Sequence, residues 1–227
     1  MTTSAQGHDV FLLRRVEANG RIKTIAGDRT PITDDDAYLR GEQRTVAPPP
    51  GTKALGWPML GIAQLTTLAV DGDGTIYAQC EYGVLAFPAD GTVHAAARQR
   101  DSSAAPLADH PFADEGDAAD AAPNFGTWGI TADHGYVTMT VRSDTNGPRP
   151  PAYRWAGDHT PGQHAILDTA SPEFIIRLVT PNGRLTTAAW SVYGSAVRGK
   201  WLYVLVFKSS GLREDQYLIG RTKLPTG

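Results

Sequence analysis

Short runs of alternating apolar and polar residues, separated by turns that contain glycine, make up most of this chain. Three stretches share one form, in which an aromatic residue, an apolar run, an Asn-Gly or Asp-Gly pair and a second apolar run follow one another: FLLRRVEANGRIKTIAG, YGVLAFPADGTVHAAAR and FIIRLVTPNGRLTTAAW. Asn-Gly and Asp-Gly between β-forming runs are the strongest short hairpin signals, because both residues tolerate the positive φ that hairpin turns require. The pattern therefore predicts three β-hairpins, with turns at Gly20, Gly91 and Gly183.

A second kind of hairpin is predicted at residues 65–80, 126–141 and 193–207. Each consists of a small apolar strand, a polar turn and a strand rich in β-branched and aromatic residues. Two consecutive hairpins make a four-stranded antiparallel unit, and the stretch from Tyr217 onward is interpreted as the third strand of a last unit. We therefore expect an all-β protein without any helix longer than about three turns.

Length and composition agree with one soluble domain. The chain has 227 residues, of which 41% are hydrophobic and 20% charged, and its 24 Gly and 16 Pro favour turns over long helices. The formal net charge is −3 and the basic residues are scattered, so no nucleic-acid partner is predicted. Cys80 is the only cysteine, which excludes an intrachain disulfide and zinc sites built on several cysteines.

The pattern of the chain contains no targeting or membrane-spanning segment. The N-terminus lacks a positive region followed by an apolar one, and no stretch approaches the roughly 18 apolar residues of a membrane span. We expect a soluble, cytoplasmic protein without a membrane partner. A domain excised from a longer secreted or membrane-anchored protein would show the same pattern, so this alternative stays open.

Repeated four-stranded units are typical of the blades of a β-propeller. The stretches LAVDGDGTIYAQ, GVLAFPADGTV and LLRRVEANGRIKTIAGD resemble the NHL-repeat family of propellers, and the resemblance covers roughly two thirds of the chain. It implies a propeller fold but little about function, because this architecture hosts binding scaffolds, kinase sensor domains, lyases and lactonase-like hydrolases. The chain departs from the family pattern at residues 132–135, where ADHG replaces DGDG, and in a long insertion at 142–173.

The predicted fold class is all-β, as a propeller-like array of four-stranded antiparallel blades. We predict a single domain over residues 1–227 with blade pieces at 8–27, 65–98, 126–190 (with the insertion 142–173) and 193–227. These pieces amount to about three to three and a half blades, fewer than the roughly four to eight that close a propeller. Three explanations remain: a homodimer that completes one ring, a fragment of a longer ring, or an irregular assembly of sheets.

Long segments are expected on one face of the array. Strands alternate in direction within a blade, so the connections after the first and third strands emerge on one face and the others on the opposite face. The short turns fall on the first face, whereas residues 28–64, 99–125 and 142–173 fall on the second. Binding groups concentrate on loops carried by a rigid scaffold, so we expect the site on the long-loop face.

Residues 142–173 carry the most suggestive side chains. Aromatic, guanidinium and imidazole groups can stack on a ligand and hydrogen-bond to it, and two histidines with a carboxylate could share a metal ion. The candidate ligand-binding residues are Tyr153, Arg154, Trp155, Asp158, His159 and His164. In the alternative interpretation, the two aromatic residues anchor the segment to its own blade and both histidines face water.

Two functions from different classes follow. The leading hypothesis is a non-catalytic NHL-like module, without a cofactor, that binds a protein partner or a small ligand through the long-loop face, because no catalytic motif is present. The alternative, implied by the resemblance to six-bladed propellers, is a metal-dependent enzyme of the lactonase or lyase type that holds a divalent cation such as Ca²⁺. Its candidate metal ligands are Glu81, Asn124 and Asp133. The acidic triplet at 34–36 could also hold a cation, or it is a solvated turn.

Overall fold

All regular secondary structure in the described part of the protein is β, which confirms the predicted all-β class. The computed structural model describes residues 2–3, 9–10, 12–28, 48–57, 67–80, 83–98, 116–117, 127–142, 174–190, 192–208 and 216–224. The strands are β1 (Thr2–Thr3), β2 (Asp9–Val10), β3 (Leu13–Val16), β4 (Ile22–Ala26), β5 (Leu68–Val70), β6 (Ile76–Cys80), β7 (Gly83–Phe87), β8 (His94–Arg98), β9 (Gly116–Asp117), β10 (Thr127–Asp133), β11 (Tyr136–Arg142), β12 (Phe174–Val179), β13 (Arg184–Trp190), β14 (Val192–Arg198), β15 (Trp201–Lys208) and β16 (Gln216–Lys223). Within these ranges, no helix has the length and apolarity needed to cross a membrane.

The strands pair in the order that the turn signals predict. β3 and β4 form the N-terminal hairpin, β5–β8 form the first meander, β10–β13 form the second meander, and β14–β16 form the C-terminal sheet. β9 is added beside β13, and β1 pairs only with β2. All these ladders are antiparallel. The described strands do not close into a ring, so the propeller itself stays a prediction.

The predicted hairpin turns are confirmed, and their geometry follows from their glycines. Gly20, Gly91 and Gly183 have φ of +79°, +79° and +78°, a region that side chains with a Cβ rarely adopt. In the first of these turns, the Gly20 N–H donates to the Glu17 carbonyl over 2.8 Å, and the Glu17 N–H donates to the Arg21 carbonyl over 2.9 Å. This bonding is that of a three-residue loop, a type I turn followed by a left-handed residue.

The β10–β11 and β14–β15 turns are shorter, with two central residues each. His134 and Gly135 both have positive φ, +53° and +78°, as a two-residue type I′ hairpin requires. Between β14 and β15, Gly199 has a φ of +54° in the first central position, which is the arrangement of a type II′ turn. Both turn types match the twist of the flanking strands, so these hairpins continue their sheets without a break.

Apolar side chains are buried between neighbouring sheets, in three clusters. Between the N-terminal hairpin and the first meander lie Leu13, Ala26, Ala54, Ala78, Leu85, Phe87 and Val93. Between the first and second meanders lie Ala69, Tyr77, Val84, Ala86, Ala97, Ile130, Val137, Met139, Val179 and Leu185. Between the second meander and the C-terminal sheet lie Ile176, Leu178, Val197, Leu202, Val204 and Leu224. The first meander, the second meander and the C-terminal sheet are therefore stacked in chain order, and the N-terminal hairpin packs on the first meander through Leu13 and Ala26 at its open end. Both meanders are apolar on both faces.

Two of the long segments do not stay on the face predicted for them. Residues 48–57 return to the turn side of the first meander, where the Ala54 N–H donates to the Gly91 carbonyl and the Val93 N–H to the Thr52 carbonyl, each over 2.9 Å. Gly116–Asp117 likewise pairs with the start of β13. The prediction that residues 28–64 and 99–125 fall on the long-loop face is wrong for two parts of them, because residues 48–57 bond to the β7–β8 turn and residues 116–117 pair with the start of β13.

Candidate functional site

The side chains predicted to bind a ligand lie outside the described residues. This holds for Tyr153, Arg154, Trp155, Asp158, His159 and His164, and also for Glu81, Asn124 and the triplet at 34–36. Of the candidate metal ligands, only Asp133 belongs to the described part. The site that can be built residue by residue is therefore the turn edge, defined as the ends of the sheets that carry the short turns at 71–75, 133–136 and 198–201.

Asp133 is the last residue of β10, and both of its carboxylate oxygens are engaged. Its Oδ2 accepts a hydrogen bond from the Gly199 N–H over 2.6 Å, and its Oδ1 lies 2.8 Å from Nδ1 of the exposed His134. The Gly199 bond is the main reason that the pKa of Asp133 lies below its usual value, and the His134 side chain lowers this pKa further. The carboxylate is thus ionised at neutral pH and acts as an acceptor.

Asp71 has the corresponding position after β5 and makes the same kind of contact. Its Oδ1 accepts from the His134 N–H over 2.8 Å and its Oδ2 from the Gly135 N–H over 2.7 Å. The side chain is buried, and the Gly72 N–H also donates to Oδ1. Because positive φ at both central residues turns their N–H groups outward together, the turn offers a small anion-binding concavity that a carboxylate can fill.

The two aspartates thus join three sheets in series through contacts that we call carboxylate latches. Asp71 of the first meander holds the turn of the second meander, and Asp133 of the second meander holds the turn of the C-terminal sheet. Hydrogen bonds to a charged acceptor contribute about 1.5–3 kcal/mol each. The latches therefore fix the relative position of the turns, over sequence separations of 63 to 66 residues.

A buried hydroxyl network supports the second latch. The Thr131 and Thr138 hydroxyls lie 2.6 Å apart, and the Ser195 hydroxyl donates to Thr138 over 3.0 Å. The Val197 N–H donates to the Thr131 hydroxyl over 3.2 Å, which connects β14 directly to β10. Thr138 is fully buried. A satisfied polar network of this kind specifies one relative position of the two sheets, because any shift would leave buried hydroxyls unpaired.

Tyr77 is a buried residue of β6, the strand that follows the 71–75 turn, and its phenol stays neutral. Its burial, followed by the nearby charges of Asp71 and Asp73, raises the pKa of the phenol to about 12. The pKa of Asp73 is in turn lowered, mainly by the hydrogen bond that its carboxylate accepts from the Thr75 N–H over 2.8 Å. Neither the Tyr77 phenol, with its raised pKa, nor the Asp73 carboxyl, with its lowered pKa, is poised to exchange a proton near neutral pH.

One candidate metal ligand, Asp133, lies at the turn edge. Among the residues described, no group of three or more His, Cys, Asp or Glu side chains is arranged to hold a metal ion. In Asp133, Oδ2 accepts from the Gly199 N–H and Oδ1 lies beside His134 Nδ1, so a metal ion would share these oxygens with existing partners. Glu81 and Asn124 lie outside the described residues, so the metal site suggested by the sequence stays an untested prediction.

The sequence interpretation missed the latches although a signal for them exists. It assigned residues 71–74 to a simple hairpin turn, and it considered Asp133 only as a candidate metal ligand. An aspartate precedes the first turn at the same position in both meanders, Asp71 and Asp133. Recurrence of one acidic residue at one position of two repeats indicates a contact that those two repeats share.

Comparison with family models, with curated proteins and with solved structures finds no match to this chain. The resemblance to NHL repeats therefore stays a prediction that rests on the residues quoted for it.

Proposed function

We propose that this protein is a non-catalytic, NHL-like β-propeller module that binds a protein partner or a small ligand through its long-loop face. The arrangement of sheets as blades is part of the proposal. It is supported by the face-to-face stacking of the sheets and by β10, the first strand of its sheet, which contacts the first strands of both neighbouring sheets, β5 and β14.

The observation that carries the proposal is the difference between the two edges of the sheets. The turn edge is closed by short turns, and its carboxylates accept hydrogen bonds from backbone N–H groups. Residues 143–173, which hold the candidate binding side chains, leave the second meander at the end of β11 and return at the start of β12. In an antiparallel meander these two strand ends lie at the edge opposite the turns.

A thermal-shift screen with a panel of aromatic, anionic and neutral small molecules tests the proposal. A compound that stabilises the protein should lose its effect in the double variant Trp155→Ala/His159→Ala. It should keep its effect in His134→Ala, which removes an exposed imidazole from the turn edge. The opposite pattern, with binding abolished only by His134→Ala, would contradict the proposed face.

Metal analysis separates this proposal from the enzyme alternative. Protein purified without chelator should carry no stoichiometric divalent ion if the module only binds. A bound ion at one equivalent, lost in Asp133→Asn, would instead favour the lactonase or lyase type of site and contradict the non-catalytic assignment.

A further inference from the structure

Exposed apolar side chains are concentrated at the two ends of the stack. Among the described residues, the large hydrophobic side chains that remain exposed are Val16, Ile22, Leu55, Leu68, Val70, Leu218 and Ile219. The first five belong to the N-terminal hairpin, the segment beside it and the first meander, and the last two belong to the C-terminal sheet. The second meander, which is covered on both faces, contributes none of them.

At the N-terminal end of the stack, the uncovered side chains belong to β5, the first strand of the first meander. Leu68 pairs with Ala78, and Val70 pairs with Ile76, so both side chains lie on the face that packs against the N-terminal hairpin. The hairpin has only two strands, and Leu68 and Val70 remain 53% and 63% exposed. Within the described part of the chain, these two side chains are therefore left largely uncovered.

At the other end, the C-terminal sheet has one buried face and one open face. Leu202 and Val204 point toward the second meander, so the alternating residues Trp201, Tyr203 and Leu205 point away from it. Ile219, opposite Leu205, is 78% exposed on this open face. The open face therefore carries apolar side chains from β15 and β16, and the Arg221 guanidinium lies over the Trp201 ring, 4.6 Å from its centroid.

At the C-terminal sheet, the residue at the latch position is basic instead of acidic. Asp71 and Asp133 are followed at the corresponding position of the C-terminal sheet by Arg198, which is exposed. A carboxylate at the position of Arg198 would need a neighbouring turn whose backbone N–H groups are free to donate to it. In the β5–β6 turn of the first meander, the N–H groups of Gly72, Gly74 and Thr75 are already bonded within the turn and cannot donate to such a carboxylate. This turn instead presents the exposed carboxylate of Asp73, which is complementary to a guanidinium.

We propose that the two ends cover each other between two copies of this chain. The open face of the C-terminal sheet in one copy packs on Leu68 and Val70 of the second copy, and Arg198 of the first pairs with Asp73 of the second. A two-fold axis repeats the same contact at the other junction, so the two chains close into one ring. The Arg198–Asp73 pair takes the place that the latches have within each chain.

The first test is the mass in solution. Light scattering coupled to gel filtration at micromolar concentration should show a dimer, twice the 24.3 kDa of the chain. A well-folded monomer at that concentration would overturn the proposal, and so would a mass that grows steadily with concentration, because an open head-to-tail chain has no closing junction.

Charge reversal tests the pairing itself. Asp73→Arg and Arg198→Asp should each raise the dimer Kd at least about tenfold, because like charges then meet at both junctions. An equimolar mixture of the two variants should recover the dimer, since each junction of the mixed pair joins opposite charges. A contact within one chain cannot be restored in this way, so failure of the mixture to recover the dimer would refute the pairing.

Matched controls separate this effect from local damage. Asp90→Arg removes a carboxylate that accepts from the Thr92 N–H over 2.9 Å, as Asp73 does from Thr75, but in the β7–β8 turn. Arg184→Asp reverses an exposed cation on the covered second meander. Both controls should keep the wild-type Kd. If they weaken the dimer as much as Asp73→Arg and Arg198→Asp do, the proposal is wrong.

Discussion

Replacement of Asp71 by alanine is the most direct test of the latches. The change leaves the backbone of the β5–β6 turn in place but removes the acceptor of the His134 and Gly135 N–H groups, at 2.8 and 2.7 Å. Two hydrogen bonds to a charged acceptor contribute about 3–6 kcal/mol when no water replaces them. His134 is exposed, so water reaches part of this turn, and we expect a loss of about 2–4 kcal/mol in the free energy of unfolding.

Urea unfolding followed by circular dichroism measures this loss. Asp71→Ala should lower the midpoint with an unchanged slope, because the surface exposed on unfolding stays nearly the same. Asp90→Ala is the matched control, since the Asp90 carboxylate accepts from Thr92 within its own exposed turn and its loss should lower stability much less. Equal costs for the two variants would refute the argument, because the latch would then contribute no more than a local turn bond.

Three further predictions concern titration and backbone conformation. Asp133 has a lowered pKa, so the stability it contributes is present above the unfolded value of 3.8 and is lost as the pH falls through the folded one. The stability difference between the wild type and Asp133→Asn should therefore shrink toward pH 2. The pKa of Tyr77 is raised to about 12 from 10.0, so its contribution is lost as the pH rises through that window, and absorbance at 295 nm should show one late-titrating phenol that is missing in Tyr77→Phe. Gly135→Ala should destabilise the protein more than Gly20→Ala in thermal unfolding: both glycines have positive φ, but only at Gly135 would the new Cβ lie 3.2 Å from Pro181. Equal losses would contradict the close approach.

Local chemistry made the strands and turns predictable from the sequence. Asn-Gly and Asp-Gly pairs encode positive φ within a few residues, and the alternation of apolar residues indicates which faces are buried, so the hairpins at Gly20, Gly91 and Gly183 needed no knowledge of distant contacts. The order of a hairpin, two four-stranded meanders and three strands followed from the same signals. The candidate ligand-binding residues at 153–164 were selected by composition alone, and they stay a prediction.

Only the tertiary structure decided what joins the sheets. Residues 48–57 bond to the β7–β8 turn and residues 116–117 pair with β13, because exposed backbone groups can bond to any segment that reaches them. No local sequence pattern predicts such contacts. Asp71 meets a turn more than 60 residues away because face-to-face packing brings the two sheet ends together. The sequence determined the conformation of each turn through its own residues, whereas the partner of each carboxylate depended on the stacking of sheets distant in the chain.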